Sequence, residues 1–197
     1  MISISKMSGK LEGIPAINTN TLSNKFCIKQ NARTDNSICK DCYSVAMLST
    51  FRKSAVPAFQ RNSIAISEKI IHPDGLPVIN ASYFRFSGHG EIINNNHFIN
   101  LINIAIKNPR TNFALWTKRI DIVNKALKDY KKPKNLILVY SNPLTDRIIT
   151  VPKGFNKVFN NVSTDTGTNC HGKCIDCLKC YKFSKAAKNN VIIEKIK

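Results

Sequence analysis

Cysteine is the residue type in this chain best suited to chemistry, and it occurs in two groups only. Cys27, Cys39 and Cys42 form the first, with eleven and then two residues between them, and Tyr43 follows at once. Cys170, Cys174, Cys177 and Cys180 form the second, packed into eleven residues and followed by Tyr181. No cysteine lies between Cys42 and Cys170. The first residues, MISISKMSGK, carry no secretory apolar core, which implies a reducing cytosol. There an odd number of clustered cysteines points to thiolate ligation of metal rather than to a disulfide framework. All seven are candidate metal ligands.

The spacing bears on which metal. A tetrahedral zinc site usually draws two Cys-x2-Cys pairs from separate turns, well apart in sequence. Here only two residues separate Cys174 from Cys177 and Cys177 from Cys180, which is the stepping of a cubane-binding run read in reverse. We therefore expect one or two [4Fe–4S] clusters. Three thiolates leave one iron open to a small molecule, so the Cys27/Cys39/Cys42 cluster would be the reactive one and the four-cysteine cluster auxiliary. The alternative is zinc, pairing Cys39 and Cys42 with two later thiolates and stapling the ends of the chain.

Charge is the second constraint. Thirty Lys and Arg against twelve Asp and Glu give +18, an excess that attracts polyanions. Nucleic acid or a nucleotide is the expected partner. No apolar run reaches the length of a membrane span, so no membrane association is expected.

These side chains need a frame. Residues 1–38 read as loop with one short strand. A helix is expected from about Asp41, its N-cap, to Ser54, with Pro57 breaking it and a further helix over 58–71. Beyond a Pro-Asp-Gly turn come strands at 83–87, 113–118, 136–141 and 157–163, helices at 95–108 and 120–130 between them, and a closing strand at 190–196. Alternating strands and helices with continuous apolar strands make an α/β fold: a mostly parallel sheet in a partial (β/α) barrel-like arrangement. We expect one metal-binding domain over 1–197, with the first cysteine motif at 27–42, the strand–helix core at 83–163 and the second knot at 170–181.

In such folds the site lies beyond the C-terminal ends of the strands. That rule selects Arg85, Ser87, Glu91, Thr117, Lys118, Arg119, Ser141 and Asn142, expected on one rim with Trp116 as a pocket wall. Glu91 and Lys118 are the candidate catalytic groups, and the others are candidate substrate or anion ligands. His72, His89 and His97 show no metal spacing. An open-iron cluster before a partial barrel is the layout of radical S-adenosylmethionine enzymes, which makes S-adenosylmethionine the matching cofactor and a radical or sulfur-transfer modification the matching reaction. Their usual Cys-x3-Cys-x2-Cys is replaced here by a first gap of eleven residues. The non-enzymatic alternative is a zinc-stapled basic protein that binds DNA or RNA in replication or in countering host defence.

Taken together, Ser5-Lys6-Met7, Cys39-Lys40-Asp41-Cys42-Tyr43, Phe84-Arg85-Phe86 with Gly90-Glu91-Ile92, Trp116-Thr117-Lys118-Arg119 and the closing Cys174 to Tyr181 run resemble the phage "gene product 88" family. That family usually shows Gly-Asp where this chain has Gly90-Glu91. The resemblance implies a phage origin, a metal site and the host cell cytoplasm, and it is distantly similar to radical-enzyme-like phage proteins with a three-cysteine motif.

Overall fold

The computed structural model describes residues 2–196. Six strands form one sheet: β1 (Ala16–Ile17), β2 (Tyr83–Phe86), β3 (Asn112–Thr117), β4 (Leu136–Thr145), β5 (Lys157–Val162) and β6 (Val191–Lys195). Every neighbouring pair is parallel, and the strands lie side by side in sequence order. Six helices accompany them: α1 (Lys25–Asn31), α2 (Tyr43–Ser49), α3 (Val56–Ser67), α4 (Asn95–Lys107), α5 (Ile120–Ala126) and α6 (Cys174–Cys177). The winding never reverses direction, so it has no topological switch point of the doubly wound kind.

Alternation along the strands sorts the core into two layers. Phe84, Phe86, Phe113, Leu115, Leu136 and Leu138 point to the face covered by α3, α4 and α5, where they meet Ile66, Phe98, Leu101, Ile102, Val123 and Ala126. Phe86 stacks on Phe113 with ring centroids 4.8 Å apart. Ala114, Trp116, Ile137, Val139 and Ile192 point to the opposite face, which is covered by Ile14, Cys180 and Tyr181. Burial on both faces explains why β3 and β4 read as continuous apolar runs. No helix is long and apolar enough to cross a membrane among the described residues.

Three expectations are corrected. The first 38 residues hold a helix as well as a strand: α1 is capped by Asn24, whose side chain accepts from Phe26 N and Cys27 N, so Cys27 sits on a helix. Cys42, not Asp41, is the N-cap residue of α2, which stops at Ser49. Pro57 does not break a helix but occupies the first turn of α3, where its missing N–H would have had no partner anyway. Strand β4 also runs four residues further than its apolar stretch, with an irregularity between Ser141 and Thr145.

Candidate metal and substrate site

Four loops meet beyond the C-terminal ends of β1 to β4, and buried hydrogen bonds tie them together. From β1, Asn18 Oδ1 accepts from His89 N at 2.8 Å. Asn24 Nδ2 donates to Glu91 O at 2.9 Å while its Oδ1 caps α1, so one side chain fixes the backbone of both Cys27 and Glu91. Thr21 Oγ1 lies 2.6 Å from Ser44 Oγ, which lies 2.8 Å from His89 Nδ1. The segment bearing Cys39 is laid along the extension of β4: Ile38 N donates to Pro143 O, Thr145 N donates to Asn36 O, and Ser37 bridges Leu144. Asn31 Nδ2 donates to the carbonyls of Cys39 and Lys40 at 2.9 and 3.0 Å.

The turn after β2 depends on unusual backbone. Ser87 has φ 60° and Gly90 has φ 80°. A Cβ on Gly90 would stand 2.0 Å from Thr19 Oγ1 and 2.6 Å from Thr19 O, so only glycine lets this turn lie against the end of β1. The following residue, Glu91, is thereby driven inward. Its Oε1 accepts from Thr117 Oγ1 at 2.5 Å and Ile92 N at 2.7 Å, and its Oε2 accepts from Lys118 N at 2.8 Å. Burial pushes the Glu91 carboxyl above its usual range, against the pull of Lys118, Thr117 and the backbone donors. With both oxygens engaged, Glu91 is a positioning residue that holds the end of β3 rather than a free base.

Lys118 is the focus of the arrangement. Its Nζ donates to Ser141 Oγ at 3.0 Å. Burial disfavours its charge, while Glu91 and, whenever they are ionised, Cys39, Cys42 and Cys27 favour it, and the balance lies above the ordinary lysine range. The structure thus brings the three cysteines of the first group, 12 to 15 residues apart at the ends, to one ammonium at the sheet rim. Burial raises the pKa values of Cys27 and Cys39, so both are thiols at neutral pH unless a cation compensates them.

The other expected rim residues take different parts. Thr117 accepts from Arg119 N while donating to Glu91. The Arg119 guanidinium is spent on Asp121 and on Ile92 O, 4.9 Å from the Phe26 ring. Asn142 is turned inward onto Asn160 Oδ1 and Arg147 O, and Ser87 is buried in its turn. Both therefore serve the fold. Arg85 is not on the rim: it lies within β2 with its guanidinium 3.2 Å from the centre of the Trp116 ring. His89 and His97 are buried and neutral, their pKa values lowered by burial to about 4 and about 3.

The second cysteine group covers the other face of the sheet. Cys180 is buried, Cys177 is exposed, and Cys170 and Cys174 pack on the layer around Trp116. Cations surround it: Lys10 reaches Cys170, Arg85 faces Cys174 and Cys180, and the fully buried Lys157 faces Cys180. The four thiols line a cavity of about 20 Å³, and Cys170 also borders an open groove of about 670 Å³. Among the described residues no three His, Cys, Asp or Glu side chains meet around one point as a single bound ion requires. Asn24, Asn31, Ser44, Lys10 and Lys157 escaped the sequence reading, which placed Arg85 on the rim and noted Tyr181 only as the residue that follows Cys180. Only the Asn24 cap left a signal there, as an Asn before a short apolar run.

The model of one protein family, gene product 88, matches residues 13–164, well over half of the chain. The match takes in the first cysteine group, the Gly90-Glu91 turn and Trp116–Arg119, and it stops before Cys170. No curated protein and no solved structure matches the chain.

Proposed function

The chain belongs to the phage gene product 88 family, and we propose that it is a metalloprotein with a reactive iron–sulfur cluster held by Cys27, Cys39 and Cys42. The observation that carries this reading is the delivery of those three cysteines, Cys27 on α1, Cys42 at the start of α2 and Cys39 beside the extension of β4, to the C-terminal rim of a parallel sheet wound in sequence order, within electrostatic reach of Lys118. That is the part of a partial (β/α) barrel where reactive groups are placed. A donor set of three thiols suits iron–sulfur or zinc rather than hard cations. When bound, such a cluster supplies an electron and an open coordination position.

The chain's own residues supply the rest. Lys118 sets a positive charge against the thiolates and points to Ser141. Glu91 fixes the backbone of Lys118 and the hydroxyl of Thr117. The +18 charge supports a nucleic acid or nucleotide as substrate, met in the host cell cytoplasm. S-adenosylmethionine is the cosubstrate to test first. At the second group the small cavity is nearer the size of a single zinc staple than of the auxiliary cluster that the spacing suggests; zinc would have to draw the four thiols together on binding, with Lys10, Arg85 and Lys157 balancing the thiolate charge.

Metal and sulfide content of anaerobically purified protein tests this directly. About four irons with matching sulfide and one zinc per chain are expected. Cys39→Ala and Cys42→Ala should lose the iron and keep the zinc. Zinc without any iron would overturn the iron–sulfur reading and leave the basic nucleic-acid-binding alternative. Nucleic-acid affinity should fall linearly with salt on logarithmic axes, and affinity indifferent to salt would remove the charge argument.

A further inference from the structure

On the face of the sheet between the two cysteine groups, Arg85 has no ion-pair partner among the described residues. Its guanidinium carbon sits 3.2 Å from the centre of the Trp116 ring, a cation–π contact that holds the group in place. Its Nε is buried with no oxygen or sulfur acceptor in reach, and the hydroxyl of Tyr181 is likewise buried without a hydrogen-bond partner. Tyr181 is 1% exposed, and its ring is held edge-on to Tyr83 and tilted against Trp116, with centroids 5.9 and 5.8 Å away. Arg85 lies near enough to the Tyr181 hydroxyl to favour its ionised form, yet neither Nε–H nor the phenol O–H has an acceptor in hydrogen-bond geometry. A buried polar group without a partner costs about 1–3 kcal/mol, and more when charged, so such a pair is rarely left idle.

We propose that Arg85 and Tyr181 form an oxyanion-binding site on the Trp116 platform, taking a phosphate or carboxylate group of the substrate. Both Nε–H and the phenol donate, the arrangement that charge-assisted recognition of an oxyanion uses. A role for Arg85 purely as counter-charge to the second cysteine group fits less well, since no thiol sulfur accepts from Nε. The site places the anionic end of the substrate on the same face as that group, short of the rim where Lys118 and the first group stand. The inference rests on the proposed function only in calling the ligand a substrate; the pairing of Arg85 with Tyr181 needs no cluster at the first cysteine group.

Calorimetric titration of the full chain with AMP, inorganic phosphate and acetate tests it, with metal content measured on every sample. Saturable binding of at least one is expected; preference for AMP and phosphate, or for acetate, identifies the group as phosphate or carboxylate. Arg85→Met should weaken that binding roughly 10- to 100-fold and Tyr181→Phe roughly 3- to 10-fold, the latter with unchanged metal content. Tyr181→Phe keeps the ring packing, so it reports even where Arg85→Met fails to fold. The proposal is overturned if none of the three anions binds, if Tyr181→Phe binds as tightly as wild type, or if affinity falls in Tyr181→Phe only together with its metal content. A wild-type protein that binds the anion but carries no iron would overturn the cluster and leave this site standing.

Discussion

Replacing Gly90 by alanine probes the one backbone position on which the candidate site depends. The added Cβ meets Thr19 Oγ1 at 2.0 Å and Thr19 O at 2.6 Å, and the residue keeps φ at 80°. The conformational part is about 1–2 kcal/mol for a residue with a Cβ in the left-handed region. The contact adds about 1–3 kcal/mol of overpacking, because a Thr19 rotamer change relieves Oγ1 but cannot move a main-chain carbonyl. Gly167 supplies the control, since its φ is 75° and an added Cβ would meet nothing within 4 Å. Gly167→Ala should therefore show the conformational part alone. For a chain of this size about 2–4 °C of Tm is lost per kcal/mol. Thermal unfolding followed by circular dichroism should thus put Gly167→Ala roughly 2–8 °C below wild type and Gly90→Ala roughly 4–20 °C below. Equal losses in the two variants would refute the claim that the Gly90 turn is packed against β1. Because Glu91 follows directly, Gly90→Ala should also lower iron retention, whereas Gly167→Ala should not.

Glu91→Ala leaves Thr117 Oγ1, Ile92 N and Lys118 N without their acceptor and should destabilise the fold by about 2–4 kcal/mol in urea titration, partly offset by relief of a buried charge. A cost below ~1 kcal/mol would mean the three donors find other partners. His89 and His97, with folded pKa values of about 4 and about 3 against 6.5 for the free side chain, bind fewer protons folded than unfolded. Their contribution is intact above pH 6.5 and is lost as pH falls below it, by roughly 2 kcal/mol each at pH 5. Urea midpoints at pH 7 and pH 5 should show this, and His97→Gln should flatten the dependence. An unchanged pH slope in that variant would exclude His97 as a source. Lys157 is buried with only Asn189 O and Asn190 Oδ1 as partners, so Lys157→Met should leave metal-free stability equal or higher while weakening zinc retention at the second cysteine group. Unaltered zinc retention would separate Lys157 from that group.

What was legible in the sequence follows from what is local. Strands β3 and β4 announce themselves because both their faces are covered, which removes polar alternation. From those strands the rule about C-terminal ends reaches Glu91, Thr117, Lys118 and Ser141, which do meet. The same rule misplaced Arg85, because it lies inside β2 and its side chain follows the strand's alternation onto the Trp116 face, where a charge is unexpected until the empty Nε is seen. Helix α1 was missed because seven residues give barely two turns of periodicity, and its stability comes from the Asn24 cap and the contact to Glu91 rather than from propensity.

Winding explains why two cysteine groups so far apart in sequence serve one sheet. The first crossover, from β1 to β2, carries α1, α2 and α3 and returns the chain past the rim, so Cys27, Cys39 and Cys42 are delivered to strand ends. Helices α3, α4 and α5 occupy one face, which leaves the other with Trp116, Ile137 and Val139 to cover. The last crossover, from β5 to β6, supplies that cover, and its apolar contribution is slight: Ile175, Leu178 and Tyr181 beside the cysteines themselves. A segment with one four-residue helix and few apolar side chains has little to order it apart from a cross-link among its thiols. On the reading proposed above, metal at the second group would foremost hold Tyr181 against Trp116, and with it the donor that stands beside Arg85. Removing that metal should loosen the anion site before it disturbs the rim.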